Sequence, residues 1–320
     1  MKVLVTGASG FVGRALCDEL LGCGHAVGAA LRSRAPESWQ GIDTFVVGSI
    51  DATTDWRAAM DGRDVVVHLA ARVHVMHDDA TDPLAEFSAV NTEGTLNLAK
   101  QAAASGIRRF VFISSIKVNG EYTKCGAPFF ADDVPAPIDA YGISKYKAEF
   151  GLQRLAEKTG MEVVIIRSPL VYGPGVKANF LSMMSWLKRG VPLPFGAVHN
   201  LRSLVALDNL VDLIAACLEH PAAANQVFLV SDGEDLSTKE LLQRMGMALG
   251  LRTWLIPVPA FLLEACALLL GKRAFAQRLL GSLQVDISKT RTLLGWTPPM
   301  SVDEGLKKTA EYWLATHRGA

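Results

Sequence analysis

Hydrophobic residues in the first half of the chain fall in short continuous runs, separated by longer stretches with a helical period. The runs at 2–6, 26–31, 44–47, 64–69, 109–114 and 162–166 are rich in Val, Ile and Phe and do not alternate with polar residues. Strands buried on both faces read this way, as in a parallel sheet covered by helices. The intervening stretches 11–23, 84–104 and 140–158 are long enough to be crossover helices. Repeated strand–helix–strand units predict a doubly wound parallel α/β sheet over residues 1–168. Beyond that the pattern breaks up. Pro169, Pro174, Pro192 and Pro194, with Gly173, Gly175 and Gly190, punctuate short elements, and an isolated strand is expected at 226–230. A smaller lobe over 169–320 is therefore expected, some of its segments returning to the first sheet.

Composition narrows the class of protein. Half of the 320 residues are apolar and 20% are charged, which suits a packed globular chain. The 32 Lys+Arg balance 32 Asp+Glu, so no broad basic face for nucleic acid is expected. Five scattered cysteines show no metal-ligand spacing and read as reduced thiols of a cytoplasmic, metal-free protein. The apolar run 258–271 is interrupted by Glu264 and is too short to cross a bilayer core of about 30 Å. It is expected to be a buried or subunit-contact helix, and contact with a membrane is not expected.

The strongest local signal is Thr6-Gly7-Ala8-Ser9-Gly10-Phe11-Val12-Gly13, directly after the first strand and opening the first helix. Glycine allows a tight turn and close approach of backbone N–H groups to a pyrophosphate, and the helix N-terminus adds unpaired donors. Gly7, Ser9, Gly10, Phe11, Val12 and Gly13 are thus candidate cofactor contacts.

The Gly-x-x-Gly-x-x-Gly spacing resembles the extended short-chain dehydrogenase/reductase family. Further matches are His68-Leu69-Ala70-Ala71, Asn91, Ser114-Ser115, the Tyr141/Lys145 pair and the segment from Arg167 to Pro174. The resemblance implies a Rossmann-type domain, a nicotinamide cofactor and a homodimer pairing helices 84–104 and 140–158. It adds Leu69, Ala70, Ala71, Asn91, Ser114, Tyr141, Lys145, Pro169 and Val171 to the cofactor contacts. At the end of the second strand, Arg32-Ser33-Arg34 stands where NAD-specific relatives carry an acid. A carboxylate repels a ribose 2′-phosphate and a guanidinium grips it, so NADP(H) is expected over NAD(H), through Arg32. Ser49 stands where relatives often have an Asp holding the adenine.

Tyr141 and Lys145 are four residues apart and share a helix face. A nearby ammonium lowers a phenol's pKa and so prepares it for proton exchange. In the family the Tyr exchanges the proton of a sugar hydroxyl or carbonyl, the Lys also binds the nicotinamide ribose, and Ser115 orients the same substrate oxygen. Dehydratases of this family carry an Asp-Glu pair after the Ser; this chain has Ile116-Lys117. Relatives that epimerise two carbons place a Cys where Ile116 stands. What remains is exchange at one carbinol.

Several segments resemble nucleotide-sugar enzymes. Asn179 and Arg202 match sugar-diphosphate contacts, with Arg278 a second phosphate candidate, since a guanidinium fork fits two phosphate oxygens. His74 and His77 follow the fourth strand near the expected nicotinamide end. The expected activity is 4-keto reduction of a UDP-4-keto-6-deoxy-hexose of the N-acetylglucosamine series for surface polysaccharide. The alternatives are a UDP-hexose 4-epimerase and a non-catalytic dinucleotide sensor.

Overall fold

A computed structural model describes residues 1–33, 39–73, 82–177, 179–271 and 273–317, with the side chains of 179 and 273–275 left aside. Seven strands form the main sheet: β1 (Lys2–Thr6), β2 (Ala26–Leu31), β3 (Ile42–Val46), β4 (Val65–His68), β5 (Arg109–Ser115), β6 (Glu162–Ser168) and β9 (Gln226–Leu229). Their order is β3-β2-β1-β4-β5-β6-β9 and every pairing is parallel. The order reverses between β1 and β4, and ligands of open α/β sheets bind at the carboxyl ends of the strands beside such a reversal. Thr6 and His68 face each other in register there, as do Ser115 and Ser168 on β5 and β6. Val3, Val5, Val65, Val67, Val111 and Ile166 are all buried, which is why these strands read as unbroken apolar runs.

A second sheet joins β7 (Leu170–Tyr172), β8 (Arg202–Ala206) and β10 (Asp235–Leu236) in the order β10-β8-β7. A separate core covers it, built from Tyr172, Phe180, Met184, Leu242, Leu306 and Trp313 among others. The chain does not stay in this lobe after residue 168. Helix Leu207–Glu219 packs on helix Phe11–Gly22, and β9 closes the main sheet beside β6. Helix Ser288–Leu294 then packs on β9.

Helix Ala260–Leu269 is not buried within the chain: none of its residues is buried, and it packs mainly on helix Arg273–Leu280. No helix among the described residues is long and apolar enough to cross a membrane.

Candidate active site

The glycine loop is built around contacts that only glycine allows. Gly7 has φ +68°, and a Cβ there would lie 2.7 Å from the Ala70 backbone nitrogen. A Cβ on Gly13 would lie 2.1 Å from the Gly7 carbonyl oxygen. The loop is thereby pressed against both the first helix turn and the chain leaving β4. Gly10 caps helix Phe11–Gly22 without any side-chain hydrogen bond, and Ser9 and Gly10 are exposed. The first-turn N–H groups thus face outward without a side-chain cap, which suits an anionic pyrophosphate. Leu69, Ala70 and Ala71 line the neighbouring edge, half-buried.

A buried polar chain fixes that edge. His68 stands between two hydroxyls, its Nδ1 2.6 Å from Thr6 Oγ1 and its Nε2 2.9 Å from Thr95 Oγ1. Burial, helped by the charge of Lys145, pushes its pKa down to about 3, so it stays neutral. Thr6 Oγ1 also accepts from the Ala70 N–H at 3.3 Å. Asn91 brackets the following backbone: the Arg72 N–H donates to its Oδ1 at 2.8 Å, and its Nδ2 donates to the Arg72 carbonyl at 3.0 Å. The same Nδ2 donates to Ser144 Oγ at 3.0 Å, which ties the loop to helix Ala140–Thr159. Asn91 sits in a π-helical stretch, Ala89–Gly94, between helices Pro83–Ser88 and Thr95–Ala104. Such stretches often mark functional sites, and a continuous helix over 84–104 is what the sequence had suggested.

Ser115 ends β5, and Tyr141 and Lys145 lie on the first turns of helix Ala140–Thr159. Tyr141 is half-buried, with its ring edge-on to Phe87 at 6.0 Å. Its pKa is pushed up to about 12 by burial and then by Asp139, while a hydrogen bond with Ser115 pulls it down. Lys145 is 2% exposed. Its ammonium donates to the Ile113 carbonyl at 2.7 Å and sits 4.2 Å from the Phe112 ring centroid. Burial pushes its pKa down to about 7, and Glu149 opposes the shift. The sequence led us to expect Lys145 to lower the Tyr141 pKa. Here its head is spent on Ile113 and Phe112, and burial dominates the phenol.

Glu149, Arg167 and Asn119 were given no part from the sequence. Glu149 lies one further turn along, accepts from Ser114 Oγ, and is gripped by Arg167 at 2.7 Å. Arg167 also donates to Asn119 Oδ1 at 2.9 Å. The four-residue spacing from Lys145 to Glu149 was the available signal; Arg167 lies 18 residues beyond Glu149 and only the fold pairs them. Lys117 pairs with Asp139, the residue whose side chain caps helix Ala140–Thr159 through the Gly142 N–H.

Arg202 and Arg278 come together at the edge of the second sheet. Arg202 is half-buried and donates to the Gly281 carbonyl at 3.0 Å. Burial, and after it the neighbouring charge of Arg278, lowers its pKa. Arg278 is exposed, Pro169 is buried and Val171 half-buried. Arg32 is exposed at the end of β2. Arg34, His74, His77 and the side chain of Asn179 lie outside the described residues.

Comparison with known proteins agrees with this arrangement. The model of the NAD dependent epimerase/dehydratase family matches residues 3–231. A UDP-glucose 4-epimerase of Vibrio cholerae is 52% identical over 98% of this chain and 95% of its own length. The solved UDP-glucose 4-epimerase of Thermotoga maritima, with UDP-glucose, is 25% identical, covers 99% of each chain and has a TM-score of 0.78. The Bacillus cereus UDP-glucuronic acid 4-epimerase in complex with NAD shares the fold at 23% identity and a TM-score of 0.79, over 100% of this chain and 99% of its own. The glycine cradle, the Ser115/Tyr141/Lys145 cluster and these matches lead to one conclusion: the chain is an enzyme of the NAD-dependent epimerase/dehydratase family.

Proposed function

We propose that this enzyme is a 4-epimerase of a UDP-hexose. The likeness to the Vibrio cholerae UDP-glucose 4-epimerase across nearly both full lengths carries the reading. It moves the assignment from the 4-keto reduction expected from the sequence to the alternative named beside it. The residues suit both reactions, since Ser115, Tyr141 and Lys145 serve one carbinol and Ile116-Lys117 offers no acid pair for dehydration.

The dinucleotide would lie along Gly7 to Gly13, Leu69 to Ala71, Asn91, Ser114, Pro169 and Val171, with its adenosine ribose near Arg32. When bound, the nicotinamide supplies the hydride chemistry at C4. Ser115 holds the sugar C4 oxygen by hydrogen bond. Tyr141 takes the hydroxyl proton when the alcohol becomes a ketone and returns it to the same oxygen once the ketosugar has turned to present its other face. Lys145, buried on the same helix, would hold the nicotinamide ribose. Arg202, Arg278 and Asn179 would hold the sugar diphosphate. Arg32 supports a 2′-phosphate at the adenosine end. A cytoplasmic homodimer through the helices around 84–104 and 140–158 belongs to the same reading.

The test is interconversion of UDP-glucose and UDP-galactose, followed by NMR without added reduced cofactor. The expected result is turnover, falling by roughly two to four orders of magnitude in Tyr141→Phe. Stoichiometric NADPH consumption with a UDP-4-keto-sugar and no interconversion would reject the epimerase in favour of the reductase.

A further inference from the structure

We propose that helix Ala260–Leu269, with the adjoining edge at Trp254, seats this enzyme on the surface of an anionic lipid bilayer. The helix reads AFLLEACALL and buries none of these residues. Phe261 is 67% exposed, Leu268 62% and Leu269 86%. Only positions 260, 263 and 267 are even half-buried, and they mark the stripe that faces the protein. At about 100° per residue, Glu264 falls on the flank beside that stripe. The outward face, Phe261, Leu262, Ala265, Leu268 and Leu269, is therefore unbroken apolar surface.

Three observations favour lipid as the occupant. Trp254 is 56% exposed, with the Arg252 guanidinium 5.2 Å from its ring centroid. Such an aromatic and cation pair suits a membrane–water interface, where the ring meets the headgroup layer and the charge stays wet. The charge of the region is one-sided: between 245 and 285 the sequence holds Arg252, Lys272, Arg273 and Arg278 against Glu264 alone, in a chain of zero net charge. Cations flanking an exposed apolar segment are attracted to anionic lipid headgroups. The area is also small. The helix is about 15 Å long, and its face falls short of the roughly 800 Å² per partner that a stable protein interface needs. Helix Arg273–Leu280, which carries Arg278, packs directly against Ala260–Leu269.

The test is sedimentation of the full-length protein with vesicles of phosphatidylglycerol and phosphatidylcholine, or of phosphatidylcholine alone. The double variant Phe261→Ser, Leu269→Ser is run beside it. Wild-type protein should sediment with the anionic vesicles and be released in part by high salt. The variant should partition at least about tenfold more weakly, with unchanged far-UV circular dichroism. The assay needs no turnover, so its outcome is separate from that of the epimerase reading. Wild-type protein remaining in the supernatant with both vesicle types overturns the proposal. So does a variant that binds as well as wild type. A wild-type oligomer that the variant dissociates, without lipid binding, assigns the face to a second copy and overturns it too.

Discussion

Lys145→Met should stabilise the fold while removing activity, and the gain should fade as pH rises. Lys145 is 2% exposed, and its pKa falls from 10.5 to about 7, with burial the main cause. At about 1.4 kcal/mol per pH unit, carrying that charge into the interior costs roughly 5 kcal/mol when the lysine is fully protonated. The bond to the Ile113 carbonyl and the Phe112 contact, both lost in the variant, offset about 2 kcal/mol of the expected gain. A net stabilisation of about 2–3 kcal/mol is therefore expected at pH 6. Because the folded pKa lies below the unfolded one, the unfolded wild type binds more protons between about pH 7 and 10.5. Wild-type stability from this group therefore rises with pH through that window. The variant lacks this slope, so its advantage should shrink between pH 7 and 10. Urea unfolding of cofactor-free protein at pH 6, 7.5 and 9.5 measures the difference directly. A variant that is less stable at pH 6, or whose advantage grows with pH, refutes the account of Lys145 as a strained buried cation.

Gly13→Ala should abolish cofactor retention, because its Cβ would lie 2.1 Å from a backbone oxygen that cannot move aside; unchanged dinucleotide affinity by fluorescence titration would contradict the cradle. Arg202→Ala should raise KM for the UDP-sugar by about ten- to hundredfold with little change in kcat, as expected for a lost charge-assisted phosphate contact; a change confined to kcat would move Arg202 out of the phosphate site. Arg32→Asp should shift preference from NADPH toward NADH, read as the ratio of the two dissociation constants, and an unaltered ratio removes Arg32 from the ribose site.

The local order of the chain determined a good deal. Unbroken Val, Ile and Phe runs predicted six strands of the parallel sheet, since strands covered on both faces must be apolar throughout. The glycine spacing pointed to the cradle, because a positive φ at Gly7 and the backbone contact at Gly13 exclude any side chain. The four-residue spacing of Tyr141 and Lys145 placed both on one helix face. What depends on distance through space was left to the tertiary structure. Arg167 reaches Glu149 only because β6 lies beside β5 and both pack on the helix that carries Glu149. The His68 ring joins Thr6 to Thr95, 62 residues before it and 27 after, by a register no local pattern encodes. The pKa of Lys145 follows from burial, which the sequence does not specify residue by residue. Helix Ala260–Leu269 shows the same division. Its apolar composition was plain in the sequence, but a hydrophobic run looks alike whether its own chain covers it or not, and only the packing of the chain shows that this one is left exposed by it.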